Sequence, residues 1–179
     1  MDFSFYPNIA NLANQLGKVK QTVFNKKKFA QAEEFWNRMT PEELNYMNQE
    51  AAGAVRVMNC FVTPNYLFVL DTAVFYVVPV RDMVWMYTTV LTQKMNFIPY
   101  NKLHNLLLMD RNGNTYTLGT KNTGGFSKKT PCDDALKQVY SIVCQQRRGL
   151  IAGWTQQVAD AVSNNFMAVV QSVDANSMV

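Results

Sequence analysis

Ile9, Leu12, Leu16, Val19 and Val23 are spaced by three and four residues, the stripe that an amphipathic helix turns toward a core. Asn8, after Pro7, offers itself as the N-cap, and Gly17 inside the stripe costs about 1 kcal/mol relative to alanine. Phe29, Ala32, Phe35 and Trp36 carry the spacing onward after a bend. Thr40-Pro41-Glu42-Glu43 then predicts a sharp helix start. Thr40 accepts from the amide of Glu43, Glu43 reaches back, and Pro41 suits the first helical position. That helix buries Leu44, Met47 and Ala51 and ends near Gly53 or Val57. Two helices joined by a short turn are therefore expected ahead of the strands.

Further on, the helical spacing gives way to β-branched and aromatic runs suited to a pleated sheet. Strands are expected near 57–63, 66–70, 73–78 and 83–90, with reversals at Pro64-Asn65 and Asp71-Thr72. Pro79 cannot donate to a ladder, so the third strand ends there or lies at an edge. Asp82 suits an Asx turn into the fourth strand. Residues 92–105 read as a longer connection broken by Pro99. Asp110-Arg111-Asn112-Gly113-Asn114, between two short apolar runs, is a hairpin turn. A Gly- and Lys-rich loop over 121–129 leads to a helix with Thr130 as N-cap, Pro131 first, and Asp133 and Asp134 favoured by the helix dipole. Leu136, Val139, Tyr140 and Val143 form its apolar face, and Arg147-Arg148 suit its C-terminal end. Gly153 and Thr155 open a last helix with Val158, Val162, Phe166 and Val169 on one side, and the polar tail 172–179 is expected to fray. The pattern predicts an α+β protein: a helical extension over 1–56, a sheet domain over 57–148, and a C-terminal helix and tail over 149–179.

Composition narrows the class. With 48% hydrophobic and 17% charged residues in 179, the chain matches an ordinary globular domain rather than a disordered or fibrous one. Its size suffices to bury a core without metal or disulfide staples. The longest apolar run, 73–80, falls far short of the about 20 residues of a membrane-spanning helix. The start, Met1-Asp2-Phe3-Ser4, lacks the pattern of a secretory signal. The three cysteines are scattered and form no disulfide framework, so a cytoplasmic setting is expected.

The net charge of +4 is modest but unevenly spread. Lys18, Lys20, Lys26, Lys27 and Lys28 lie in a stretch without an acid, followed over 33–50 by five glutamates against Arg38. Lys121, Lys128 and Lys129 form a second basic cluster. With Phe24 and Phe29 among them, the first lysines could hold a nucleic-acid backbone or an anionic membrane. The simpler reading is a wet helix face, with Val19, Val23 and Phe29 turned to the core.

Catalytic chemistry has few candidates. His104, the single histidine, adjoins an expected strand end and has no acid or cysteine near it in sequence. Cys60, Cys132 and Cys144 lack metal-ligand spacing. Cys132 lies in a first helical turn, which lowers a thiol pKa, while Asp133 and Asp134 push it up. Gly124-Gly125-Phe126-Ser127-Lys128-Lys129-Thr130 departs from the phosphate-loop spacing and reads as a solvated loop. Trp85, Tyr87 and Phe75 read as core or sheet-face packing. No catalytic, metal or cofactor site is expected.

Val62-Thr63-Pro64-Asn65-Tyr66-Leu67, the strand Val78-Pro79-Val80-Arg81-Asp82-Met83-Val84-Trp85-Met86-Tyr87, and the hairpin through Asn112-Gly113 together resemble bacterial pleckstrin-homology-like (PH-like, GRAM-like) domains of uncharacterised families. Asn96-Phe97-Ile98-Pro99 and Gly153-Trp154-Thr155 are similar to segments of one such family. The resemblance spans roughly 60–155. It implies a twisted antiparallel sheet closed by the helix from Pro131, flanked by an N-terminal helical pair and one further C-terminal helix. Phosphoinositide-binding pleckstrin domains place basic residues between their first two strands. The matching loop, 63–65, has none, so a fold is implied without that head-group site. The function expected is a non-enzymatic, cytoplasmic binding or scaffolding module. Its partner is a protein met at an edge strand or beside the closing helix, or a second copy of the chain. The alternative is peripheral binding to anionic lipid or nucleic acid through the basic helix over Lys18–Lys28, with Lys121, Lys128 and Lys129 as further candidate residues for an anionic partner, and an enzyme ranks last.

Overall fold

The computed structural model describes residues 3–177. Three helices, not two, come first: α1 (Pro7–Leu16), α2 (Lys26–Arg38) and α3 (Pro41–Ala51). Gly17 takes φ +137°, where a side chain is strained, and the chain leaves the helix there instead of continuing to Val23. Val23 consequently falls outside the apolar stripe and is 90% exposed. Asn8 lies within α1 rather than capping it, and its amide groups bind Asn48 of α3 at 2.9 Å. The capping box at Thr40 forms as the sequence predicts, with bonds of 2.9 and 3.2 Å to Glu43. Ile9, Leu12, Trp36 and Met47 from these helices close on Phe61, Phe68 and Phe75 of the first sheet.

That sheet is antiparallel, ordered β1 (Val55–Val57), β2 (Cys60–Val62), β3 (Tyr66–Asp71) and β4 (Val74–Pro79). The single strand expected over 57–63 is two, folded back at Met58-Asn59 with Met58 at φ +53°. A 3-10 turn, Val80–Asp82, leads into the second sheet: β5 (Met83–Met95), β6 (Ile98–Asp110), β7 (Thr115–Gly124) and β8 (Ile151–Ala152), ordered β7-β6-β5-β8. β8 runs parallel to β5 and pairs with it at Trp85 and Met86. The described residues thus form an α+β fold with two sheets, one wholly antiparallel and neither closed, in place of the single antiparallel sheet expected under the helix from Pro131. α4 (Pro131–Val143) spans both. Its Val139 and Val143 meet Val62, Leu67 and Val69 of the first sheet and Met86, Leu106 and Leu108 of the second in one core.

Residues 92–105, expected as a connection, are strand on both sides of a two-residue turn, Asn96-Phe97. Pro99 is tolerated there because it sits opposite Lys94, whose backbone groups turn away from β6, so no inter-strand bond is lost. The expected loop over 121–129 likewise begins as strand, since β7 reaches Gly124. Thr130 precedes α4 but makes no side-chain cap; Asp133 N bonds its carbonyl instead.

α5 (Gln156–Ser177) starts under a cap in which Thr155 Oγ1 accepts from Val158 N at 3.2 Å. It kinks at Asn165 (φ −153°, ψ 77°), whose side chain accepts from Ala168 N and restarts the helix. The tail does not fray over 172–177. Val173 is buried, and Asp174 pairs with Arg147 at 2.6 Å and Arg111 at 2.9 Å. Among the described residues no helix is long and apolar enough to cross a membrane.

Candidate interaction surface

The first lysine cluster is split between two kinds of backbone. Lys18 and Lys20 belong to the irregular segment after α1, and Lys26, Lys27 and Lys28 open α2; all five are exposed. Asn25 holds the segment. It is 4% exposed, its Oδ1 accepts from Thr22 N at 2.7 Å, and its Nδ2 donates to Lys20 O and Thr72 O at 2.9 and 2.8 Å. Lys20 N adds a bond to Ala73 O. The lysines are thereby fastened to the β3–β4 turn, with Phe24 fully in solvent between them. Lys28, half exposed, lies 3.9 Å from the mostly covered Asp71, a long pair worth about 0–1 kcal/mol.

Lys121 stands on β7 opposite His104 and lines a cleft with Asp71, Thr72, Met58 and Gly119. It therefore approaches the same β3–β4 turn as Lys28, from the other sheet. Lys128 and Lys129 lie farther along, between β7 and α4, beside a segment that Lys102 grips through its bond to Ser127 O at 2.8 Å. The eight predicted lysines are all on the surface, but as two groups that adjoin only at Lys121.

The second sheet contributes a feature the lysines do not. Beyond Thr89, β5 and β6 run outward with β7 beside them as far as Asn101 and as a two-stranded arm from there to the Asn96-Phe97 turn; Val90, Leu91, Met95, Ile98 and Tyr100 are exposed. One side of this strand pair is bounded by β7, whose last pairing is Asn101 with Gly124. The other side is open. Gly153 N donates to Met86 O at 2.8 Å, so the backbone groups of Met86 face away from β6. Those groups alternate along a strand, which turns the amides and carbonyls of Thr88, Val90, Thr92 and Lys94 the same way. β8 stops at Ala152, and among the described residues no strand pairs with them.

The chemistry-bearing residues are packed away. His104 lies mid-strand in β6 rather than at a strand end, 4% exposed, with Nε2 2.9 Å from Thr123 Oγ1. Burial pushes the Cys60 thiol up to about 12, and burial with the Asp133 charge raises Cys132. Trp85 and Tyr87 stack at 4.0 Å in the cluster beneath α5, with Trp85 Nε1 donating to Gly153 O. Phe75 stacks on Trp36. A groove of about 700 Å³ separates α2 from β4 and the β6–β7 turn. Tyr76 and Tyr116 meet edge to face in its wall, and Tyr116 donates to the buried Asp110 at 2.9 Å. Burial, then the charge of Asp71, pushes Tyr76 up to about 12; burial and the Asp110 charge raise Tyr116.

Sequence reasoning missed Asn25, Lys94, Lys102 and the open edge. Its signal for the edge was the β-branched run Thr88-Thr89-Val90-Leu91-Thr92, which continues the fourth expected strand with no turn residue after it. No family model, curated protein or solved structure matches this chain.

Proposed function

We propose that this chain is a non-enzymatic, cytoplasmic binding module of PH-like type that takes up an extended segment of a protein partner along the free edge of β5. The observation carrying this reading is the run of outward amides and carbonyls at Thr88, Val90, Thr92 and Lys94, which no strand among the described residues pairs. An added strand gains main-chain hydrogen bonds there and reads alternate side chains for specificity. A long edge left open invites pairing with other chains. The PH-like reading is supported by two sheets that share one core beneath the helix following β7.

The test uses strand parity. Val90→Pro removes an outward amide and leaves the β5–β6 ladder intact, whereas Leu91→Pro breaks that ladder. A photo-crosslinker at Thr92 is expected to trap one protein partner in native cells, and Val90→Pro to abolish the adduct while circular dichroism stays unchanged. An adduct indifferent to Val90→Pro would overturn the edge reading. A hydrolytic turnover lost on changing His104 would overturn the non-enzymatic one.

A further inference from the structure

The turn at the end of the β5–β6 arm places an aromatic ring where the backbone is least suited to it. Asn96 and Phe97 take φ +49° and +67°, and the second position of such a turn favours glycine. Phe97 is nonetheless 95% exposed, so packing within the chain offsets little of that strain. The β3–β4 turn differs. Its left-handed Thr72 and Ala73 are fastened by Asn25 Nδ2 and Lys20 N. Among the described residues, no hydrogen bond from outside the hairpin reaches Asn96 or Phe97.

Phe97 has company. Met95, Ile98 and Tyr100 are exposed beside it. Phe126, 77% exposed, is held against the arm by Gly125, whose amide bonds Tyr100 O at 3.1 Å. A Cβ on Gly125 would lie 2.1 Å from Pro99 O, so only glycine permits this approach. Lys94 and Lys102 lie on β5 and β6 behind the apolar tip, and Lys128 and Lys129 follow the Ser127 carbonyl that Lys102 holds, while Lys121 lies farther back, opposite His104. Residues 83–109 and 112–132 contain no Asp or Glu. The nearest acids in sequence on the α4 side are Asp133, which accepts from Thr88 Oγ1 at 3.0 Å, and Asp134, paired with Lys137 at 4.0 Å.

We infer that the arm is an interfacial membrane anchor. Phe97, Ile98 and Phe126 enter the headgroup–acyl boundary of an anionic bilayer, while the lysines behind them engage its surface charge. An apolar tip with cations behind it and no acid between matches that boundary in both polarity and charge. The strain at Phe97 is then offset in the bound state by burial of its ring in lipid. This anchor is independent of the β5 edge, which lies along the arm rather than at its tip.

The test is flotation of the full chain with vesicles of phosphatidylcholine mixed with phosphatidylglycerol, and with phosphatidylcholine alone. Binding is expected to the mixed vesicles only, and to weaken as salt is raised. Phe97→Gly, which suits the turn, is expected to preserve or raise Tm and to cut binding by about tenfold or more, as loss of a buried aromatic requires. Lys94→Gln is expected to cut it about fivefold. Phe97→Trp should show a blue-shifted emission component on binding. Val90→Pro should leave flotation unchanged and Phe97→Gly should leave partner capture unchanged, which separates this anchor from the edge reading. The proposal is overturned if mixed vesicles do not bind, or if Phe97→Gly floats like the parent. It is also overturned if Phe24→Ser abolishes flotation while Phe97→Gly does not, or if Phe97→Gly instead dissolves a dimer seen by sedimentation in lipid-free buffer.

Discussion

Tyr76 and Tyr116 tie the stability of the fold to alkaline pH. Both hydroxyls are held protonated by burial, with Asp71 and Asp110 adding negative charge nearby. A tyrosine whose folded pKa is raised contributes stability that is complete below its unfolded value of about 10 and is lost as pH climbs through the folded value. Tm is therefore expected to fall as pH rises from about 10 toward 12, beyond what lysine titration alone produces. The pair Tyr76→Phe and Tyr116→Phe is expected to flatten that fall, measured by thermal melts across the range. An equal slope in the variant would refute the assignment. Neither tyrosine was legible as a titrating group, because Asp71 and Asp110 reach them through sheet pairing. Asn25 was illegible for the same reason. In sequence it is one polar residue among lysines, and its role depends on Thr72 being folded against it.

α5 shows how a helix can look frayed in sequence and be clamped in space. Val158, Val162, Phe166 and Val169 gave a readable stripe, but the kink at Asn165 resets the helical phase, and Val170 and Val173 become the buried residues of the second half. What holds that half is Asp174, which meets Arg147 and Arg111, residues 27 and 63 positions away. Arg147 is 5% exposed and also donates to Met83 O at 2.9 Å. Removing the carboxylate leaves a buried guanidinium without its counter-charge, a loss of about 3–5 kcal/mol when burial is complete. Since Asp174 is partly open to water, Asp174→Ala is expected to cost about 2–3 kcal/mol in urea denaturation. It should also admit protease first near Asn165. A variant as stable as the parent would show that the clamp carries no weight. By contrast, the capping box of α3 was fully legible, since all its parts lie within four residues.

The two sheets share their interior, and this shapes how the molecule unfolds. Leu108 of the second sheet and Val69 of the first belong to one buried cluster under α4. Leu108→Ala is expected to destabilise by about 2–5 kcal/mol. Far-ultraviolet circular dichroism and tryptophan fluorescence should still report one coincident transition. Two separated transitions would mean that the sheets form independent units. The α+β class was legible because the helical spacing gives way to β-branched runs after α3. The division into two sheets was not, because it falls at the three-residue 3-10 turn Val80–Asp82, across which β4 and β5 follow one another without pairing, and β8 joins the second sheet from more than sixty positions away.

That short strand has a consequence for anything that pairs along β5. Gly153, bonded to Met86, occupies the end of the track, so an incoming strand abuts it and can slide no further toward the core. Register, which a flat polar edge specifies poorly through side chains, is then limited by collision with a fixed stop. A partner needs only a short free segment to fill the distance from that stop to the tip.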